Sequence, residues 1–172
     1  MEQPNDTLVR RLSSRDALDI RRDRVGVSLD TSGEGRYGYW INVALGGSQL
    51  DGTLLPERQF SRDWDGAWHS GTATTDAGWS AEFFLPWSQV AMPQSGEQRT
   101  IKAYVSRKVA HLDEDWSMPA LPRTRPLFMS RMQPLTLQRV APVRNWSVFP
   151  YLSSTLDSIA GDNDSKFGAD VF

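Results

Sequence analysis

The sequence predicts an all-β protein, an antiparallel β-sandwich of the immunoglobulin or jelly-roll kind, followed by a C-terminal extended segment. Three observations support this fold class. Short segments alternate apolar and polar residues, turns rich in glycine, proline and aspartate separate them, and no long stretch has the 3.6-residue period of a helix.

The first predicted hairpin consists of two alternating segments joined by the turn TSGEG. In residues 24 to 30, Val25, Val27 and Leu29 alternate with small or polar residues. In the next strand, apolar and aromatic residues share one face, while Gly38, Trp40 and Asn42 share the other. The preceding residues, 1 to 23, are polar and basic, and predict one short strand around residues 7 to 12.

A second hairpin is predicted from residues 67 to 74 and 79 to 85, which alternate on either side of the turn TDAG. The stretch before it, through Pro56, is less regular. Pro86 ends the hairpin, and residues 87 to 92 can form one helical turn. Residues 100 to 109 alternate again, with Ile101, Ala103 and Val105 opposite Lys102, Tyr104 and Ser106, and predict another strand.

The chain changes character at residues 111 to 126, where the acidic run HLDED precedes the three prolines of PALPRTRP. This stretch is typical of a loop or linker. Further extended segments are expected around Leu135 to Leu137 and from residue 146 to residue 152. The predicted organisation is therefore a sandwich over residues 1 to 122, and a linker with the start of a second domain over 123 to 172.

Composition excludes several classes of function. The formal net charge of −2 over 172 residues gives no general attraction to nucleic acid, so no nucleic-acid partner is expected. The absence of cysteine removes disulfides and thiolate metal sites, and two histidines supply a metal cluster poorly. A G-x-S-x-G nucleophile motif, a phosphate-binding loop and HExxH are all absent.

Seven tryptophans are unusual for this length, and the run from Asp63 to Trp87 is especially rich in them. Indole faces stack on sugar rings while short carboxylates bind sugar hydroxyls, so Trp64, Trp68, Trp116 and Asp65 are the predicted carbohydrate-binding residues. The alternative is that each indole simply packs in the core. Trp79 is expected to build the second hairpin.

The carboxylates admit other roles. Asp30 and Asp63 lie at strand ends or in loops and are candidate calcium ligands, although turn formation explains most such aspartates. Glu82 is either exposed or a buried carboxylate paired with an arginine such as Arg107, and we favour the structural pair over a catalytic acid. A glycoside hydrolase would need two carboxylates across a cleft, and Glu82 with Asp65 or Glu114 is the pair to consider.

Several blocks occur in a characteristic order: RD, DRVGVSLDT, GYWINVALGG, WDGAWHSGT and GWSAEFFLPW, then a strand containing arginine. This order, over about residues 6 to 120, resembles the family 9 carbohydrate-binding modules and their DOMON-like relatives. Residues 78 to 87 match a GW-x-x-E-x-x-IP pattern, and Asp16 and Asp30 match the family's acidic positions before and after the first clear strand. More narrowly, the chain is similar to the domain at the front of a bacterial envelope family of unknown function.

The resemblance implies a β-sandwich that binds carbohydrate and takes part in polysaccharide breakdown. In the envelope family an outer-membrane β-barrel follows this domain, and residues 145 to 172 resemble the opening of that barrel. The resemblance further implies upstream strands and an export signal outside this chain. It also implies a location in the periplasm or outer membrane. The leading expectation is a non-catalytic carbohydrate-binding domain; the alternatives are a structural domain docking on a barrel or transport partner, and a hydrolase fragment.

Overall fold

A computed structural model of the chain describes residues 3–56, 58–93, 98–122, 124, 126–140, 148–156 and 163–171. The chain divides into two units, Met1–Pro142 and Val143–Phe172. This division falls later than the predicted boundary at residue 122, because a strand beyond the proline-rich stretch pairs with the main sheet of the first unit.

The first unit contains a seven-stranded antiparallel sheet and a separate two-stranded hairpin, which confirms the predicted all-β, antiparallel fold class. The strands of the large sheet are β1 (Arg24–Asp30), β2 (Gly38–Ala44), β3 (Gln49–Leu55), β4 (Gln59–Ser61), β7 (Gln98–Val109), β8 (Glu114–Met118) and β9 (Gln133–Gln138). Their order is β4-β3-β2-β1-β7-β8, and β9 also pairs with β7. The hairpin consists of β5 (His69–Thr75) and β6 (Gly78–Phe84).

Both predicted hairpins form, and a single turn of 3-10 helix occupies Trp87–Gln89. Two predictions about local structure are wrong: residues 7 to 12 form no strand, and β8 lies inside the predicted linker. Two strands were not predicted, β3 in the less regular stretch through Pro56 and β4 just after it. β3, β4 and β8 pair with stronger neighbours, and this pairing stabilises extended structure that their own composition does not favour.

The register of the large sheet separates its side chains into two faces. On the first, which we call the hairpin face, Val27 lies beside Ile41 and Val105. The β5–β6 hairpin is joined to this side of the sheet, because Gln49 donates to Ser70 Oγ and Thr72 donates to the Leu45 carbonyl. Ile41 and Val43 are buried there.

The opposite side, which we call the cleft face, contains a second apolar cluster. Trp40, Leu50 and Leu54 project from β2 and β3 and pack with Phe128, Met129 and Met132 from the segment before β9. The Trp40 indole donates to the carbonyls of Thr53 and Ser61, and so fixes the edge strand β4 to the sheet. Residues from both sides of the predicted linker therefore share one core.

The N-terminal segment, residues 3 to 23, is held by buried polar contacts. The carboxylate of Asp23 is fully buried and accepts hydrogen bonds from the backbone of Val9 and Ala110 and from the side chain of Gln3. Buried carboxylates are stable only when such donors surround them. The arginine-rich segment is thus an integral part of the fold.

The second unit contains an antiparallel hairpin of β10 (Val148–Leu156) and β11 (Asn163–Val171). Extended structure here agrees with the sequence prediction, whereas the proposed relation of this segment to a barrel stays a prediction. Within the described parts of the chain, none of the helices has the length and apolar character needed to cross a membrane.

Candidate functional site

Trp68, predicted to bind sugar, is a core residue. Its side chain is 3% exposed and stacks on Phe83 of the hairpin, with ring centroids 5.9 Å apart. Its indole nitrogen donates to Asp51 Oδ2 over 3.0 Å. The prediction of a ligand-binding role is wrong because the hairpin covers the indole on one side and the sheet covers it on the other.

Asp51 organises the tryptophan-rich loop around it. Its carboxylate is fully buried and accepts hydrogen bonds from the Arg15 guanidinium, the Gly66 backbone and the Trp68 indole. Burial acts to lower the pKa of Arg15, but the hydrogen bond and charge of Asp51, with the charges of Asp65 and Asp16, raise it overall. The cluster is therefore a charge-paired structural network with its polar groups satisfied.

Trp64 and Asp65 complete the same loop. The half-buried Trp64 ring lies 4.8 Å from the Tyr39 ring, and a Cβ on Gly66 would lie only 2.3 Å from Trp64 Cη2. Asp65 is exposed and forms an ion pair with Arg15 over 2.7 Å. Trp64 therefore closes the loop onto the hairpin face, and the structure does not bring it to the third predicted aromatic, Trp116, in one cavity.

The two candidate calcium ligands have other partners. Asp30 is fully buried, and its oxygens accept from the Ser32 hydroxyl and from the backbone of Gly33 and Gly35, with Lys102 Nζ at 4.0 Å. Asp63 is exposed and accepts from Ser61. Among the described residues, no three acidic, histidine or cysteine side chains are grouped so that they could hold a metal ion. The turn-forming interpretation fits Asp30 best.

The favoured pairing of Glu82 with Arg107 is wrong. Glu82 is exposed on β6 and forms no salt bridge with any residue that the structure describes. Arg107 lies on β7 and donates to the side chain of Gln3. Trp79, predicted to build the hairpin, is half-buried on β6 opposite Thr74.

A different site lies on the cleft face, where three neighbouring strands align their outward residues in rows. Across β2, β1 and β7, the rows are Trp40–Ser28–Tyr104, then Asn42–Gly26–Ser106, then Ala44–Arg24–Lys108. Successive rows are two residues apart, so the first and third are separated by about 13 Å. The floor therefore changes from aromatic to neutral polar to basic along the strands.

The middle row is hollow because its centre is glycine. A Cβ on Gly26 would lie 1.9 Å from Asn42 Oδ1, so the Asn42 amide extends over the glycine backbone. The side chains of Asn42, Ser106 and Tyr104 form no hydrogen bond with any residue that the structure describes. Polar groups that the fold leaves without partners are suited to bind a ligand.

Aromatic rings form the wall at one end of the cleft. Tyr104 packs edge-on against Phe128 with centroids 4.9 Å apart, and the half-exposed Phe60 lies 6.4 Å from Phe128. Trp116, from the edge strand β8, borders the cleft nearer its basic end; it pairs with Arg107, whose side chain lies on the hairpin face, and its indole donates to Glu114 over 2.8 Å. The cavity has a volume of about 510 Å³. Of the predicted binding residues, only Trp116 belongs to it.

Sequence reasoning missed Arg24, Asn42, Phe60, Tyr104 and Ser106 as site residues. The signal was present in part, since alternation already placed Trp40 with Asn42 and Tyr104 with Ser106 on shared strand faces. Alternation does not reveal the strand register that brings β7 beside β1.

No family model, curated protein or solved structure matches this sequence. The resemblance to family 9 carbohydrate-binding modules therefore stays a prediction.

Proposed function

We propose that this protein is a non-catalytic carbohydrate-binding domain whose site is the cleft on the cleft face of the large sheet. One observation carries the proposal: polar side chains that have no hydrogen-bond partner among the described residues stand beside accessible aromatic rings in a single cavity. Sugars present apolar C–H faces and a rim of hydroxyls, so they need both kinds of group together.

Two residues supply complementary contacts. Tyr104 offers a ring edge and an unpartnered hydroxyl at one end, and the Asn42 amide offers a donor and an acceptor about 7 Å further along, one row away. Because β1, β2 and β7 are central strands of the sheet, these groups are held in place before a ligand binds.

Hydrolysis is not proposed. Glycoside hydrolysis uses two carboxylates flanking the scissile bond. Among the described residues, the cleft has one carboxylate, that of Asp115, and Lys108 Nζ lies 3.5 Å from it. The pair considered from the sequence is separated as well, since Glu82 is exposed on the hairpin and Asp65 is bound to Arg15.

A second candidate is a structural periplasmic domain that docks on an outer-membrane β-barrel or a transport partner. The burial of Trp68 at 3% and Trp40 at 4% favours it, because core indoles are what a purely structural role requires. An extracytoplasmic location forms part of both proposals and is supported by the resemblance noted from the sequence.

We expect Asn42→Ala and Tyr104→Phe each to weaken oligosaccharide binding about fivefold, which corresponds to one lost hydrogen bond of roughly 1 kcal/mol. Both groups lack protein partners among the described residues, so the free energy of unfolding should change by less than about 0.5 kcal/mol. Titration of a panel of oligosaccharides followed by tryptophan fluorescence measures the affinity, and urea denaturation measures the stability.

Phe60→Ala should also weaken oligosaccharide binding, and Phe84→Ala is its matched control. Phe84 is 65% exposed on β6, outside the cleft, whereas Phe60 is 51% exposed and lines it. Only the Phe60 substitution should weaken binding. If the panel produces no response at all, the structural candidate replaces the binding proposal.

A further inference from the structure

The basic end of the cleft continues into a second depression. Leu18, Arg24 and Lys108 line both cavities, and the second is otherwise bounded by residues 19 to 22 and Asp113. Its volume is about 490 Å³. A ligand in the cleft can therefore extend past the third row into this depression.

Positive charge exceeds negative charge around the depression. Four of its lining residues are cations and two are anions: Arg21, Arg22, Arg24 and Lys108 against Asp19 and Asp113. Lys108 is already neutralised, because its ammonium contacts Asp113 over 2.6 Å and Asp115 over 3.5 Å. The pKa of Asp113 is lowered by its hydrogen bond to Lys108. The remaining excess of positive charge comes from Arg21, Arg22 and Arg24.

Arg22 is a buried cation without a carboxylate partner within salt-bridge distance among the described residues. Its residue is 1% exposed, and its guanidinium donates to two neutral oxygens, Ser13 Oγ and the Ala17 carbonyl. Its Nε–H is buried with no hydrogen-bond partner. Burial lowers the pKa of Arg22 and the charge of Arg24 lowers it further, while Asp19 opposes both effects. A buried guanidinium in this state is stabilised by an added anion.

Arg24 is placed to bind that anion. It is half-buried in the third row and lines both cavities, and its guanidinium has no hydrogen bond or ion pair with any residue in the described part of the chain. A guanidinium offers paired N–H donors that match the two oxygens of a carboxylate or sulfate. Arg24 is therefore an unused anion-binding group at the junction of the two cavities.

We propose that the cleft binds acidic oligosaccharides, with a carboxylate or sulfate group on Arg24 and a neutral part of the chain against the aromatic end. This inference rests on the proposed carbohydrate-binding function and specifies its ligand class. The excess positive charge near Arg24 carries it. Arg58, the cation at the aromatic end, already donates to the carbonyls of Leu121 and Pro122 and lies over the Phe128 ring.

The test compares matched ligands by calorimetric titration at pH 7 in low salt: oligogalacturonate, its neutral methyl ester, and a sulfated oligosaccharide with its unsulfated counterpart. We expect an acidic ligand to bind about tenfold more tightly than its neutral counterpart, consistent with one charge-assisted, bidentate contact. The preference should shrink as salt is raised, because salt screens partly exposed charges. Whichever ligand, carboxylated or sulfated, gains more affinity over its neutral counterpart identifies the anionic group that Arg24 binds.

Arg24→Gln should lower the affinity for the acidic ligand until it equals that for the neutral ligand, because the charge contact is lost. Arg24→Lys keeps the charge and should retain part of the preference. Arg36→Gln is the control, because Arg36 is exposed, pairs with Glu34 and lies outside both cavities. Thermal unfolding of each variant shows that it is folded.

The outcomes separate the two proposals. Equal affinity for acidic and neutral ligands overturns this inference and leaves the binding function intact. An equal loss for both ligands in Arg24→Gln also overturns it, because Arg24 would then contact the sugar and not the acid. Absence of binding by every ligand overturns the binding function and the inference with it.

Discussion

Replacing Trp68 by alanine should lower the free energy of unfolding by about 3–5 kcal/mol, the range found when a large buried aromatic is truncated. The substitution removes the stacking partner of Phe83 and leaves a cavity between the hairpin and the sheet. It also removes one of the donors that satisfy the buried Asp51 carboxylate. Urea denaturation followed by circular dichroism measures the effect.

Trp64→Ala is the comparison for this prediction. Trp64 is only half-buried and its indole is not bonded to Asp51, so we expect a loss of about 1–2 kcal/mol. A loss below about 1 kcal/mol for Trp68→Ala would contradict the core role of Trp68, because truncation of a well-packed indole costs more than that.

Asp51→Asn should destabilise the protein by about 3–5 kcal/mol, because it leaves the Arg15 guanidinium without its buried carboxylate. The amide has nearly the same shape, but its NH₂ group faces donors and cannot accept their hydrogen bonds. The loop that carries Gly66 and Trp68 then loses its anchor. Differential scanning calorimetry and urea denaturation both measure the loss.

Asp65→Asn is a closely matched control. Asp65 and Asp51 both lie 2.7 Å from the same Arg15 nitrogen, but the Asp65 side chain is 77% exposed and that of Asp51 is fully buried. Exposed ion pairs contribute about 0–1 kcal/mol, so the Asp65 substitution should have little effect. Similar losses from both substitutions would show that burial of the carboxylate is not what makes Asp51 important.

Strand alternation predicted the centre of the fold well. Val25 and Ile41 on β1 and β2 lie where the pattern placed them, as do the β5–β6 hairpin and β7, because one face of each strand packs on apolar residues. The edge strands were missed. β8 contains Glu114 and Asp115, and its extended form depends on hydrogen bonds to β7 that no local pattern reveals.

The site was predicted less well, for a physical reason. A dense run of indoles indicates large apolar area, but whether that area meets a ligand or another part of the protein depends on tertiary contacts. Trp68 is covered by a hairpin that its own loop begins. Conversely, Tyr104 and Asn42 are ordinary residues of alternating strands, and they become a site only through the register that places both beside β1.

The strandless N-terminal segment determines how short this domain can be made. Gln3 and Arg15 supply side-chain donors to Asp23 and Asp51, and the backbone of Val9 supplies another. A version trimmed to begin at β1 would keep every described strand of the sheet and still lose Asp23, together with the cation that pairs with Asp51. Minimal versions for crystallisation or fusion should therefore be designed from Gln3 onward, with the loop that precedes the first strand treated as part of the core.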